Sequence, residues 1–242
     1  MSFAVVAPLT MAAMKNLLRA ALLFFFTTGL GIAAATPKPP PAEVLQALQR
    51  GVNLSIWFTY RGQPGIEPER WYPDAADWRQ IKALGLTHVR VQFDPAWFRD
   101  PLKPGQLDAK RIQELRQALA PAFKRGLLVV LAAEPEAPEK TRLVKDEAGR
   151  AELANFWAAF AKSLRGIPPR QLVFELLNEP TTADAASNRL LMEQLVATVR
   201  AVAPRHTLVV EGHAYSGIDE LRAMEPLAAD NLVYSFHFYE SH

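Results

Sequence analysis

Residues Leu172–Pro180 read LVFELLNEP, an apolar run that closes on Asn178, Glu179 and Pro180. So short a run of Leu, Val and Phe predicts a strand covered on both faces, as in a parallel sheet between helices. Pro180 ends the ladder, because it has no N–H to donate and fixes its own φ. Glu179 is therefore placed at the carboxyl end of a central strand. In barrels of alternating strands and helices, that end carries the chemistry.

Five further runs have the same character: Gly51–Phe58, Thr87–Phe93, Leu127–Ala133, Thr207–Gly212 and Leu232–Phe238. Amphipathic segments separate them. Trp78, Ile81 and Leu84 share one face of the first. Ile112, Leu115, Leu119 and Phe123 share a face of the second, where Pro121 bends or ends a turn. Leu153, Phe156, Trp157, Phe160 and Leu164 stripe the third, and Leu191, Leu195, Val199 and Val202 the fourth. Gly85, Gly126 and Gly166 follow helices, as left-handed C-caps require. Strand and helix in alternation imply parallel βα units. An open doubly wound sheet announces a glycine-rich phosphate turn after its first strand, whereas here Asn53, Leu54, Ser55, Ile56 and Trp57 follow Gly51 without one. The expectation is an α/β fold of the (β/α)8 TIM-barrel class, with about six of the eight βα units in this chain.

The 242 residues are 50% hydrophobic and 21% charged, with a formal net charge of +2, which suits one sizeable core. No basic block stands out, so a nucleic-acid partner has no electrostatic footprint. The absence of cysteine removes disulfides, thiolate nucleophiles and Cys-ligated zinc together. At the N-terminus Lys15 and Arg19 precede the apolar run Ala20 to Ile32 and the small residues Ala33, Ala34 and Ala35. That order predicts a secretory signal over residues 1–35, with a core too short for a membrane span, and Met14 makes a more ordinary start than Met1. We expect a secreted product, extracellular or periplasmic, free of the membrane after signal cleavage. A linker and lead-in over residues 36–49, opening with TPKPPP, precede one catalytic barrel over residues 50–242.

Strand ends offer the candidate chemistry. Arg90 lies on the second strand, Asn178 and Glu179 on the fourth, His237 and Tyr239 on the sixth, and Asn53 and Trp57 on the first. Singly, each has an ordinary explanation: Arg90 pairs with a buried carboxylate such as Glu175, His237 is a satisfied core histidine, and Tyr239 is a rim aromatic. Jointly, at successive strand ends, they suit proton transfer to a sugar leaving group. A retaining glycosidase needs two carboxyl groups about 5–5.5 Å apart, one as acid/base and one as nucleophile. The acid/base keeps its proton through desolvation or a neighbouring negative charge. Asn178 suits a sugar 2-hydroxyl, and Arg90 suits a carboxylate that must stay ionised.

These motifs resemble glycoside hydrolase family 5, the cellulase-like barrels. The resemblance lies in FELLNEP, SFHFYESH, THVRVQF and RGVNLSIWF, and it runs from about Arg50 to the last residue. It implies that Glu179 is the acid/base, that Asn178 contacts substrate, and that Arg90, His237 and Tyr239 surround the nucleophile and leaving group. Two departures stand out. Where the family often has a His at the end of strand three, this chain has Ala132, Ala133 and Glu134, and Glu134 reads as a solvated loop carboxylate. The family's nucleophile is a Glu on strand seven, whereas this sequence stops at His242, just after strand six, and Glu240 follows Tyr239 too closely to serve. The expectation is a C-terminally incomplete barrel whose nucleophile lies outside the sequence.

Asn53, Trp57 and Trp97 are the expected substrate-binding residues, with Trp71 and Tyr60 as further platforms, though ordinary packing explains each aromatic equally well. The expected partner is a β-linked polysaccharide or oligosaccharide, a β-glucan or related mannan, acted on by a monomer without metal or cofactor. Two other readings compete. One is a catalytically inactive carbohydrate-binding barrel or truncated gene product. The other is a metal-dependent hydrolase using His237 and His213, against which no H-x-H pair occurs at the early strand ends.

Overall fold

Six strands form where the apolar runs lie: β1 Gly51–Phe58, β2 His88–Phe93, β3 Leu128–Ala133, β4 Leu172–Glu175, β5 Leu208–Glu211 and β6 Leu232–Ser235. They come from a computed structural model that describes residues 36–60 and 72–239; the expected signal segment, Trp71 and Glu240 fall outside those residues. All six pair in parallel and in chain order, β1 to β6. This is an α/β fold supplying about six of the eight units of a TIM barrel. Every residue of β3, β4 and β5 is buried, as their unbroken apolar composition requires. The β4 ladder stops at Glu175, yet the chain stays extended beyond it: Leu176 N–H bonds Val209 O at 3.1 Å and Asn178 N–H bonds Ala133 O at 2.9 Å. Thus Asn178 and Glu179 leave the sheet at its C-terminal rim.

The helices are α1 Ala42–Ala47, α2 Ala75–Ala83, α3 Pro95–Phe98, α4 Ala109–Lys124, α5 Ala137–Lys145, α6 Glu147–Leu164, α7 Ala185–Val202 and α8 Ile218–Ala223. Asp74, Asp94, Asp108, Asp146 and Asp184 cap α2, α3, α4, α6 and α7, each carboxylate accepting from first-turn amides that otherwise lack partners. Gly85 and Gly126 end α2 and α4 with φ of 70° and 69°, where a Cβ is strained. Gly166 is not left-handed, so that expected cap is absent. Leu84, expected on the buried face of α2, is 63% exposed, because it is the C-cap, beyond the last helical turn. Pro121 remains inside α4, one turn from its end.

Two apolar clusters result. The larger fills the space between sheet and helices, with Phe93 stacked on Phe160 of α6 at 4.5 Å. The smaller lines the inner face of the sheet, where Leu128, Val130, Val173 and Val209 meet Val44 of α1, with Ala47 and Leu48 against them. Part of the lead-in over residues 36–49 therefore packs on the inner sheet face. Among the described residues no helix is long and apolar enough to cross a membrane.

Candidate active site

Arg90 points inward from β2 and organises the floor of the rim. Its Nε donates to Glu175 Oε2 at 2.8 Å, its Nη2 to Glu175 Oε1 and to Asn178 Oδ1, the latter at 2.6 Å, and its Nη1 to Asn53 Oδ1 at 3.2 Å. The structure brings Arg90, Asn53 and Asn178 together, and the Arg90–Glu175 pair is the structural ion pair anticipated as the ordinary reading of Arg90. The Glu175 side chain is 3% exposed. Burial lifts its carboxyl to about 7, against the pull of Arg90.

Glu179 sits above this pair in a left-handed conformation, φ 48°, uncommon for a residue with a Cβ. Its Oε1 lies 2.7 Å from His237 Nδ1, and its main-chain N–H donates to Glu211 Oε2 at 2.8 Å. Glu211 ends β5 with its side chain fully buried, and its Oε1 lies 3.5 Å from His237 Nε2. Ser216 Oγ also donates to Glu211 Oε2. Burial pushes the Glu211 carboxyl up, but His237, Glu175 and Ser216 together outweigh burial and hold it down at about 2. His237 in turn is raised to about 9, chiefly by Glu211, with burial opposing and Glu179 adding. Three carboxyl groups, those of Glu175, Glu179 and Glu211, thus face two cations, Arg90 and His237.

Glu211 and Ser216 escaped the sequence reading. The one signal for Glu211 is its place at the end of an apolar run, LVVE, as Glu175 closes LVFE. Ser216 gave none: it is held by a turn in which Ala214, Tyr215 and Ser216 all have positive φ, although none is glycine.

The aromatic expectations divide. Trp57 is 3% exposed and packs on Phe58, Tyr72 and Trp78 at centroid distances of 5.3, 5.7 and 6.0 Å, so it is core and not a sugar platform. A register shift between Leu54 and Phe58 in β1 accompanies the burial of both Trp57 and Phe58, consecutive residues. Trp97 is half-buried under the Arg111 guanidinium, 4.0 Å from its ring centre. It lines a cavity with Asp108 and Glu114, whereas Arg90, Glu175, His237 and Tyr239 line a different one of about 540 Å³. Trp97 is therefore apart from the rim cluster. Tyr239, 83% exposed, meets the His237 ring edge-on at 6.4 Å. Burial, and then the charges of Glu134, Glu136 and Glu179, raise the Tyr60 hydroxyl. Glu134 is no solvated loop carboxylate. Its side chain is 15% exposed and pairs at 3.0 Å with the buried Lys140, and burial raises its carboxyl against Lys140.

The donor atoms of Glu175, Glu211 and His237 lie within 4.8 Å of one another, and His213 is not among them. It lines a separate cavity with Asn188 and Glu220. Arg90, Ser216 and the Glu179 amide already engage the two carboxylates, which makes the cluster a hydrogen-bonded charge network.

A family model described as Cellulase (glycosyl hydrolase family 5) matches residues 48–242. The chain belongs to glycosyl hydrolase family 5. Endoglucanase C of Acetivibrio thermocellus is 26% identical over 201 residues, covering 80% of this family 5 chain and 58% of that protein. Endoglucanase C307 of Clostridium sp. (strain F1) matches to the same extent. The chain thus spans 58% of the length of these curated relatives. The endoglucanase Cel5A of the hyperthermophilic Thermotoga maritima superposes with a TM-score of 0.70 at 23% identity, over 83% of this chain and 63% of that one. That enzyme has also been solved with cellobiose and with mannotriose. The superposition fixes the barrel class of this family 5 chain.

Proposed function

We propose that the protein is an exported glycosidase that cleaves O-glycosidic bonds of β-linked polysaccharide or oligosaccharide, with Glu179 as acid/base. The observation that carries this reading is the Glu179 carboxyl itself, 25% exposed at the sheet's C-terminal rim and hydrogen-bonded to His237. As the acid, Glu179 gives its proton to the glycosidic oxygen while the bond to the anomeric carbon breaks. As the base, it then takes a proton from water. Arg90 orients Asn178, whose role is to meet the sugar 2-hydroxyl as oxocarbenium charge develops. A retaining mechanism needs a second carboxyl about 5–5.5 Å away. Glu175 and Glu211 are both buried, so neither reaches an anomeric carbon; on the family's pattern the nucleophile belongs to a seventh strand. A β-glucan, or a related mannan, is the substrate class favoured by the relatives' names and by the cellobiose and mannotriose complexes of the Thermotoga enzyme. Tyr60, in place of Trp57, is the aromatic at hand for a sugar ring.

The test compares leaving groups. In a protein that includes the seventh strand, Glu179→Gln should lower hydrolysis of soluble β-1,4-glucan by about 10²–10⁴-fold, while a dinitrophenyl cellobioside, whose leaving group needs no proton, loses far less. Equal loss on both substrates removes Glu179 from the acid role. The burial of the other two carboxyls favours one second reading, a carbohydrate-binding barrel without catalysis. In that case a protein that includes the seventh strand still binds cello-oligosaccharides without hydrolysing them.

A further inference from the structure

Glu211 takes no part in the proton transfer described above, and its side chain is 0% exposed, so it touches no sugar. Its two oxygens nevertheless reach both ends of Glu179. Oε2 accepts the Glu179 main-chain N–H at 2.8 Å. Oε1 faces His237 Nε2 at 3.5 Å, and His237 Nδ1 lies 2.7 Å from Glu179 Oε1. Two hydrogen bonds and one longer ion pair, the 3.5 Å contact in which Glu211 Oε1 makes no hydrogen bond, therefore link buried carboxylate, imidazole, candidate acid and main chain.

The turn after β5 is built to serve this linkage. Ala214, Tyr215 and Ser216 have φ of 48°, 63° and 62°. Such conformations are unfavourable for residues with a Cβ and persist where surrounding contacts over-determine them. Here the contacts are Ser216 Oγ donating to Glu211, His237 N–H donating to Ser216 O at 2.7 Å, and Tyr215 N–H donating to Pro180 O at 3.3 Å. Each ties the turn to Glu211 or to a neighbour of Glu179 in the site.

We propose that Glu211 is a positioning residue whose buried carboxylate holds the His237 ring and fixes the main chain and side chain of Glu179 together. The role given to Glu179 rests on the glycosidase reading; the hold on His237 does not. The groups facing the ring of His237 are Glu211 from β5, Glu179 and Glu175 from β4 and its extension, Arg90 from β2, and Tyr239 from its own segment. Among them Arg90 opposes protonation and the carboxylates favour it. Glu211 is the largest single influence holding the proton on the imidazole.

Titration of His237 in the full chain, followed by NMR of its ring, tests the inference. The wild-type midpoint is expected near 9. Glu211→Gln, which removes the charge but keeps the shape, should bring it down toward the ordinary 6.5. Glu211→Asp, which keeps the charge but draws it back, should fall between the two. A wild-type midpoint in a folded Glu211→Gln protein overturns the proposal; if that variant does not fold, a wild-type midpoint in Glu211→Asp overturns it. In parallel, in a protein that includes the seventh strand, the alkaline limb of the pH–rate profile on soluble β-1,4-glucan should shift downward in Glu211→Gln and recover in part in Glu211→Asp. A midpoint that moves in a protein that includes the seventh strand yet hydrolyses nothing defeats the glycosidase reading and leaves the hold of Glu211 on His237 standing.

Discussion

Arg90 and His237 divide the work of carrying positive charge beneath Glu179, and their environments make one permanent and the other switchable. The planar Arg90 fork meets both Glu175 oxygens and also Asn178, a geometry that a lysine cannot reproduce. His237 is charged because carboxylates surround it, and this has a signed consequence for stability. Its folded pKa, about 9, lies above the ordinary 6.5. Its contribution is therefore fully present below pH 6.5 and is lost as pH rises through 9. Glu211 works in the opposite sense, since its folded pKa of about 2 lies below the ordinary 4.5. That contribution is present above 4.5 and is lost as pH falls through 2. The melting temperature, followed from pH 6 to 10, should decline on the alkaline side, and His237→Gln should flatten the decline. An alkaline slope that is the same in both proteins would show that His237 does not carry it.

Helix α6 joins the apolar core to the site. Its buried face holds Leu153, Phe156, Trp157, Phe160 and Leu164, and Trp157 Nε1 donates to Leu176 O at 2.9 Å, two residues before Asn178. This bond satisfies a buried carbonyl just past the end of β4. Trp157→Phe keeps most of the apolar burial and loses that bond, so it should cost about 1–3 kcal/mol. Trp157→Ala also leaves a cavity and should cost about 3–5 kcal/mol. Urea denaturation of the two variants separates the contributions, and a Trp157→Phe protein as stable as the wild type would mean that the bond to Leu176 contributes nothing. The α6 stripe was legible in the sequence because helical periodicity and burial coincide there. The strands were legible for a similar reason, since β3, β4 and β5 are apolar throughout and buried throughout. Trp57 misled because an aromatic at a strand end looks the same whether it faces a sugar or Tyr72. Glu134 misled because its partner, Lys140, comes from the next helix. Glu211 stayed hidden because its importance depends on the left-handed turn at Ala214–Ser216, and a turn of that kind without glycine leaves no mark in composition.

Across the whole molecule, the parallel order β1 to β6 gives every inner strand two neighbours, while β1 and β6 each have one among the described residues. β3 is buried at all six positions, whereas β6 is buried at only one of its four and β1 at only two of its eight. Amides with one ladder partner and partial cover open through smaller fluctuations than those in a doubly paired core. Native-state hydrogen exchange should therefore rank the strands, with β3 and β4 slowest and β1 and β6 faster. The ranking matters for the site because Arg90, Glu175 and Glu211 stand on the inner strands, while His237 follows the edge strand β6. The rigid part of the fold thus holds the buried carboxylates, and the side chain nearest the Glu179 carboxyl rides on the part that opens most easily. The bond from His237 N–H to Ser216 O is the main-chain tie that offsets this, so the His237 amide should exchange more slowly than those of β6 before it. If β1 and β6 amides instead exchange as slowly as those of β3, both edges are covered in solution, and the easy opening assigned here to the His237 segment is wrong.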